Sequence, residues 1–249
     1  METRKNALVI FTKNPVVGKV KTRLAKDIGD KMALKVYMQL LKHTREITKE
    51  NGFCETKIFY DNFIPSNDNW DESNYDKYLQ GAGDLATKMK NAYKTMFDEG
   101  YENVIIMSPD CPELTSARIK QAFALLKNKN FVIGPLKDGG YYLLGMNKFS
   151  PEVINGIEFG KGTAYAETLK RFESLGASYK ELAETYDVDF ANEIPAKLRK
   201  IVGLEETTLD SIDEENIEEA HNKADEEEFS SDNEATDYSD IDRVDDEED

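Results

Sequence analysis

The sequence predicts an α/β fold, a three-layer sandwich around a mainly parallel sheet, and three observations carry that expectation. Residues 7–11 and 104–107 are uninterrupted apolar runs, as strands buried on both faces of a parallel sheet are. Segments with apolar residues at helical spacing alternate with such runs, the signature of a doubly wound sheet. Two short β-rich runs, 131–134 and 141–145, are joined by PLKDGG, which is too short to hold a crossover helix, so a small antiparallel insertion accompanies the parallel strands.

The elements follow in order. Residues 7–11 supply the first central strand, and the polar stretch TKNPVVGKVKTR is the loop after it. Asp30 can cap a helix whose Leu34, Tyr37, Met38 and Leu41 keep the i, i+3, i+4, i+7 rule, with Asn51 and Gly52 closing it. Residues 57–60 read as a short strand, and 61–78, polar and aromatic without a period, as a loop with a small strand at its end. Asp84 opens a helix that buries Leu85, Met89, Ala92, Tyr93, Met96 and Phe97 and stops at Gly100. The strand at 104–107 follows, then a helix from about Thr115 with Ile119, Ala122, Phe123 and Leu126 on one side. A helix over 164–175, a strand over 178–182 and a last helix after Asn192 complete the body.

Charge divides the chain in two. From residue 205 to 249 there are 22 acidic residues against Lys223 and Arg243, with Phe229 and Tyr238 as the aromatics. Such a segment cannot bury enough apolar area to offset its ordering entropy, so 205–249 is expected to be a disordered tail and 1–204 the folded domain. The net charge of −17 therefore describes the tail; the body carries 30 basic and 27 acidic residues, and anionic ligands stay open. The tail reads as a solubilising extension, a docking site for a basic partner, or a cover over the basic first loop. Two distant cysteines and no stretch long enough to span a bilayer suggest a reduced, cytoplasmic protein without a membrane span, and nothing points to nucleic acid.

Chemistry concentrates where strands end. Asp110, in SPDCPEL, follows the buried run at 104–107 and is fenced by Pro109, Cys111 and Pro112. A rigid carboxylate at the carboxyl end of such a strand can bind a hard divalent cation, and it can equally cap the turn before the next helix. The first loop holds Lys13, Lys19, Lys21 and Arg23 with Gly18 to shape it and Thr22 to add a hydroxyl, a set suited to a di- or triphosphate or to a solvated basic turn; the P-loop spacing is absent. QGAGDLATKM sets Gln80, Gly81 and Gly83 before the Asp84 cap, turning backbone amides and a helix N-terminus toward the same side. KDGGYYLLG combines Asp138 with Gly139, Gly140 and Tyr141, apt for a sugar or acceptor and also for an ordinary hairpin turn. YDVDFANEI offers late carboxylates, Asp187 and Asp189, as a second metal ligand or as turn residues. His43 and His221 lie outside these segments, and Cys111 has no histidine partner, so neither histidine base nor cysteine nucleophile chemistry is expected.

Taken in series, FTKNPVVGKVKTRL, QGAGDLATKM, SPDCPEL, GPLKDGGYYLLG and YDVDFANEI resemble the bacterial DUF2064 group of glycosyltransferases over about residues 7 to 195. That group looks like nucleotide-diphospho-sugar transferases of GT-A type and is similar to the phospholactate and molybdenum-cofactor guanylyltransferases. The resemblance implies Mg²⁺ or Mn²⁺ on Asp110 with Asp189 as second ligand, Asp110 and Asp138 as catalytic carboxylates, and a first loop gripping nucleotide phosphates. Ser108 and Pro109 stand where the group commonly has Gly-Thr or Gly-Ala, Phe159, Gly160 and Lys161 where it has Trp-Ser-Thr, and the acidic tail has no counterpart. Three functions are carried forward: sugar transfer from a nucleotide sugar to a small acceptor, nucleotidyl transfer from an NTP with release of pyrophosphate, and a non-catalytic nucleotide-binding scaffold.

Overall fold

A computed structural model describes residues 5–49, 52–66, 68, 70 and 74–204; the tail expected at 205–249 lies outside the described residues. All the elements fall within the unit Met1–Val202. They are β1 (Asn6–Thr12), α1 (Thr22–Ile28), α2 (Asp30–Thr48), β2 (Glu55–Tyr60), β3 (Asp76–Leu79), α3 (Leu85–Asp98), β4 (Asn103–Met107), α4 (Ser116–Leu126), β5 (Phe131–Pro135), β6 (Tyr141–Met146), α5 (Ala164–Ser174), β7 (Tyr179–Glu181) and α6 (Ala196–Val202).

The strands form one sheet in the order β3-β2-β1-β4-β6-β5-β7. β1 pairs in parallel with β2 and β4, β2 with β3, and β5 with β7. Only β6 runs against its neighbours, pairing antiparallel with both β4 and β5. The hairpin is thus built into the sheet, since β6 lies directly beside the strand that delivers Asp110.

Alternation along each strand feeds two cores. Leu8, Ile10, Ile58, Ile105 and Met107 join Ile119, Phe123 and Leu126 of α4 on one face. Ala7, Val9, Val104 and Ile106 meet Met89, Tyr93 and Met96 of α3 and Phe172 of α5 on the other. Each such side chain contributes about 1.5–3 kcal/mol over remaining exposed, which makes a one-residue slip of β1 or β4 costly and fixes where these strands end.

Three expectations need correction. Asp30, expected to cap its helix, is the first residue of α2, with Gly29 at the cap. Thr22 and Arg23, read as the end of the first loop, open α1, which buries only Leu24 and so shows no apolar period. Leu85, expected in the core of its helix, is 41% exposed at the first turn of α3 and faces the cleft described next. Phe97 is partly buried against the α3 core. The stretch from 61 to 78 does end in a strand, β3, and its aromatics Trp70 and Tyr75 are buried edge to face, 4.9 Å between ring centres.

Candidate active site

β4 stops because Pro109 has no N–H to continue a ladder, and the chain turns through a loop pinned on several sides. Thr44 of α2 donates its hydroxyl to Pro109 O at 3.3 Å, and His43 Nε2 bonds Leu114 O at 2.9 Å. Ser108 Oγ donates to Asp110 Oδ2 at 3.0 Å, and Val188 N donates to Asp110 O at 3.3 Å, which fastens the late carboxylate segment to this loop. Thr115, not Asp110, caps α4 by accepting from Arg118 N.

The first loop is ordered by Asn14, which is buried: its Nδ2 donates to Phe63 O at 2.9 Å while its Oδ1 accepts from the amides of Asn62 and Phe63. The Tyr37 hydroxyl accepts from Lys13 N at 2.9 Å and lies 2.9 Å from Thr12 Oγ1; burial, then the charge of Asp110, push its pKa up, so it stays protonated. The loop ends at Lys21, which has φ 49° and ψ 46° and is, among the described residues, the one non-glycine at positive φ. That left-handed backbone costs an L residue about 1–2 kcal/mol and marks a place where the surroundings dictate conformation.

The Lys21 side chain is turned inward. Nζ lies 3.1 Å from Asp110 Oδ1 and 3.4 Å from Asp189 Oδ1, with the side chain only 5% exposed. Burial pulls its pKa down, but the charges of Asp110 and Asp189 outweigh that, so Lys21 is held charged above the ordinary lysine value. Arg23 Nη1 meets Asp189 Oδ2 at 3.0 Å from a more open position, 54% exposed. Asp189 is itself fixed by Glu193, whose Oε2 accepts from the Asp189 and Phe190 amides. Asp187 is pushed up to about 6 by burial and by the charge of Asp189, against the pull of Lys21.

Lys21, Arg23, Tyr37, Asp110 and Asp189 line one cleft of about 450 Å³ over the carboxyl ends of β1 and β4. Lys13, Lys21, Thr22, Arg23, Asp110 and Asp189 form its charged side; Phe11, Leu85, Met89, Tyr141 and Phe159 give it an apolar wall. Its size suits a nucleotide-sized ligand. Of the residues expected from sequence, Gln80 also lines it, with Nε2 donating to Thr12 O and Phe59 O, so its amide ties β1, β2 and the cleft floor together.

The others expected at the site stand back from this lining. Lys19 is exposed, and Gly18 turns the loop. Gly81 and Gly83 both take positive φ; a Cβ on Gly83 would meet Thr87 at 2.9 Å, and Asp84 caps α3 by accepting from Thr87 N at 2.8 Å. Asp138 Oδ1 accepts from Gly140 N at 2.8 Å and so closes the hairpin turn. Gly139, at φ +82°, packs so closely that a Cβ would lie 2.0 Å from Gly162 O. The turn thereby supports the 157–163 loop, whose Phe159 meets Tyr141 edge to face, 5.6 Å between ring centres. Phe11, Tyr37, Ser108, Leu85 and Met89 were not anticipated as lining the site; all but Tyr37 lie within the quoted motifs, but as apolar or neutral residues they carry no charge or metal-ligand signal of their own. The Cys111 thiol is pushed well up by burial and then by Asp110, which makes it a poor nucleophile.

Residues 44–161 match the DUF2064 family, described as an uncharacterized protein conserved in bacteria. The resemblance read from the motifs is to this family. The matched DUF2064 segment contains Gln80, Asp110, Asp138 and Tyr141, whereas Lys21, Arg23 and Asp189 come from outside it. A crystal structure from Desulfovibrio desulfuricans G20, of a protein provisionally named a nucleotide-diphospho-sugar transferase, is 27% identical, covers 79% of this chain and 91% of its own, and superposes with a TM-score of 0.68. The fold is of that nucleotide-diphospho-sugar-transferase, or GT-A, type. A cytidylyltransferase from Leptospira borgpetersenii serovar Hardjo-bovis (15% identity, 74% and 78% covered, TM-score 0.48) and 4-diphosphocytidyl-2C-methyl-D-erythritol synthase from Anaerococcus prevotii DSM 20548 (10%, 77% and 93%, 0.49) are more distant, and no argument rests on them. No curated protein matches the chain. Among the described residues no helix is long and apolar enough to cross a membrane.

The donor set bears on metal binding. Among the described residues no group of three or more His, Cys, Asp or Glu is placed to hold an ion. Asp110 and Asp189 do converge, and Asp110 Oδ1 is buried without accepting a hydrogen bond, its near neighbour being the Lys21 ammonium. Mg²⁺ is commonly held by one or two carboxylates and completes its shell with water and substrate phosphates. These residues fit a hard divalent cation that arrives with a phosphorylated ligand, and do not form a closed resident site.

Proposed function

We propose that the protein is a transferase that moves a sugar from a nucleotide-diphosphate sugar to a small acceptor, assisted by Mg²⁺ or Mn²⁺. The observation that carries the reading is the convergence of Lys21 and Arg23 with Asp110 and Asp189 in one cleft at the strand ends of a GT-A fold. The name given to the Desulfovibrio relative points the same way.

In this reading Lys13, Lys21 and Arg23 bind the diphosphate, with Arg23 offering a planar fork and the lysines point charges. Asp110 and Asp189 hold the cation, which when bound supplies charge stabilisation to the leaving diphosphate. The apolar wall of Leu85, Met89, Tyr141 and Phe159 excludes water and faces the base or the sugar.

Nucleotidyl transfer is the second reading, favoured by three cations in the same cleft, which would stabilise departing pyrophosphate. It is weakened because Lys19 stands outside the lining, so the cleft holds fewer cations for a departing pyrophosphate than the basic loop contains. Incubation with NTPs and with nucleotide sugars, with Mg²⁺ or Mn²⁺, separates the readings. Nucleoside diphosphate release from a sugar donor supports sugar transfer, and pyrophosphate release without donor cleavage overturns it. Nucleotide binding without turnover of either kind would leave the scaffold reading.

A further inference from the structure

We propose that Lys21 is a built-in counter-cation, which occupies the divalent-metal position between Asp110 and Asp189 and makes metal binding conditional on a phosphorylated ligand. The inference rests on the proposed metal site and goes beyond it by assigning the order in which charges enter.

Three independent observations converge on Lys21. Both carboxylates lie within 3.4 Å of a single nitrogen, so the ammonium stands where a cation shared by Asp110 and Asp189 would stand. Asp110 Oδ1 is buried, and the group within reach of it is the Lys21 ammonium rather than a backbone amide or a hydroxyl, so this oxygen depends on a cation. And Lys21 alone among described non-glycine residues takes a left-handed backbone, a conformation that persists only when the surroundings impose it.

The physical consequence is competition. Two neighbouring carboxylates without a counter-charge repel each other, and Lys21 neutralises that repulsion while the cleft is empty of ligand. A divalent cation entering alone must displace an ammonium held by two ion pairs in a buried setting. A diphosphate entering with the cation gives Lys21 a new anionic partner in the same cleft, so the ammonium can shift to phosphate as the carboxylates turn to the metal. Arg23, more exposed and paired to Asp189 alone, can follow without leaving a buried charge unpaired. Metal and phosphate are therefore expected to bind with positive coupling through one side chain. A conservative change that keeps the charge should keep the coupling, and a neutral isostere should remove it.

The test is Mn²⁺ binding to the full chain, followed by the electron paramagnetic resonance signal of free Mn²⁺. Only binding lost in Asp110→Asn is counted, which subtracts ions held by the acidic tail. Without other ligands, Lys21→Met should bind Mn²⁺ roughly tenfold or more tightly than the parent chain, and Lys21→Arg should resemble the parent. Inorganic pyrophosphate should strengthen Mn²⁺ binding to the parent by a larger factor than to Lys21→Met. Mn²⁺ should also raise the melting temperature of Lys21→Met more than that of the parent, a readout that holds even where the substitution weakens the fold. Equal Mn²⁺ affinity in parent and Lys21→Met, with binding lost in Asp110→Asn, overturns the inference and leaves the metal site standing. Parent binding that is tight without pyrophosphate and unchanged by it does the same. No Asp110-dependent binding in any variant, with or without pyrophosphate, overturns both.

Discussion

Lys21 Nζ lies 3.1 Å from Asp110 Oδ1, a contact between the end of the first loop and the end of the central strand β4. It joins a residue in a strained backbone to a buried carboxylate oxygen, and the rest of the cleft is arranged around that pair.

Arg23 and Lys19 belong to the same basic loop but differ in placement. Arg23 reaches the cleft and Lys19 does not. Arg23→Ala is expected to weaken nucleotide-sugar binding by about tenfold, the scale of a charge-assisted contact, while Lys19→Ala changes it less than about twofold. Isothermal titration of the two variants checks this; equal losses would mean that the whole loop, not the ion-paired end of it, grips the ligand.

Asp187 binds a proton in the folded chain up to about pH 6, whereas an unfolded chain releases it near 3.8. Between those values the folded state holds more protons, so this residue lowers stability as pH rises through the window, and the loss persists above it. Asp187→Asn should accordingly be more stable than the parent at pH 7.5, on the order of 1–2 kcal/mol, with the gap closing below pH 4. Urea midpoints at the two pH values measure it. A gap that is the same at both would place the effect in packing instead of charge.

Gly139 and Gly140 are adjacent but not equivalent. A Cβ on Gly139 would fall 2.0 Å from Gly162 O at φ +82°, while one on Gly140 would meet only the Asp138 carboxylate, at 3.0 Å. Gly139→Ala is expected to cost about 2–4 kcal/mol and to displace the loop that carries Phe159; Gly140→Ala should cost less than about 1 kcal/mol. Thermal unfolding of the pair decides, and similar shifts in both would refute the close approach.

The sheet was legible because its strands are buried on both faces, which leaves continuous apolar runs at β1 and β4 and places Asp110 at a strand end. What was not legible has physical causes. α1 buries only Leu24, so no period betrays it. Leu85 follows the apolar spacing of α3 but sits at its first turn, over the cleft, where exposure serves the apolar wall. The pairing of Lys21 with Asp189 spans 168 residues, and no local pattern encodes it. Gln80, Asp84 and Asp138 carried motifs that pointed to the right end of the sheet. There Asp84 and Asp138 hold a helix cap and a turn, and Gln80 ties strand ends together.

The part proposed for Asp110, anchoring a metal-assisted sugar transfer, is measured by nucleoside diphosphate release from nucleotide sugars with Mn²⁺, comparing the parent chain with Asp110→Asn. The parent should release nucleoside diphosphate without pyrophosphate, and Asp110→Asn, its folding verified by an unchanged cooperative melt, should lose the activity by about a hundredfold or more. Turnover by Asp110→Asn at the parental rate would contradict the account.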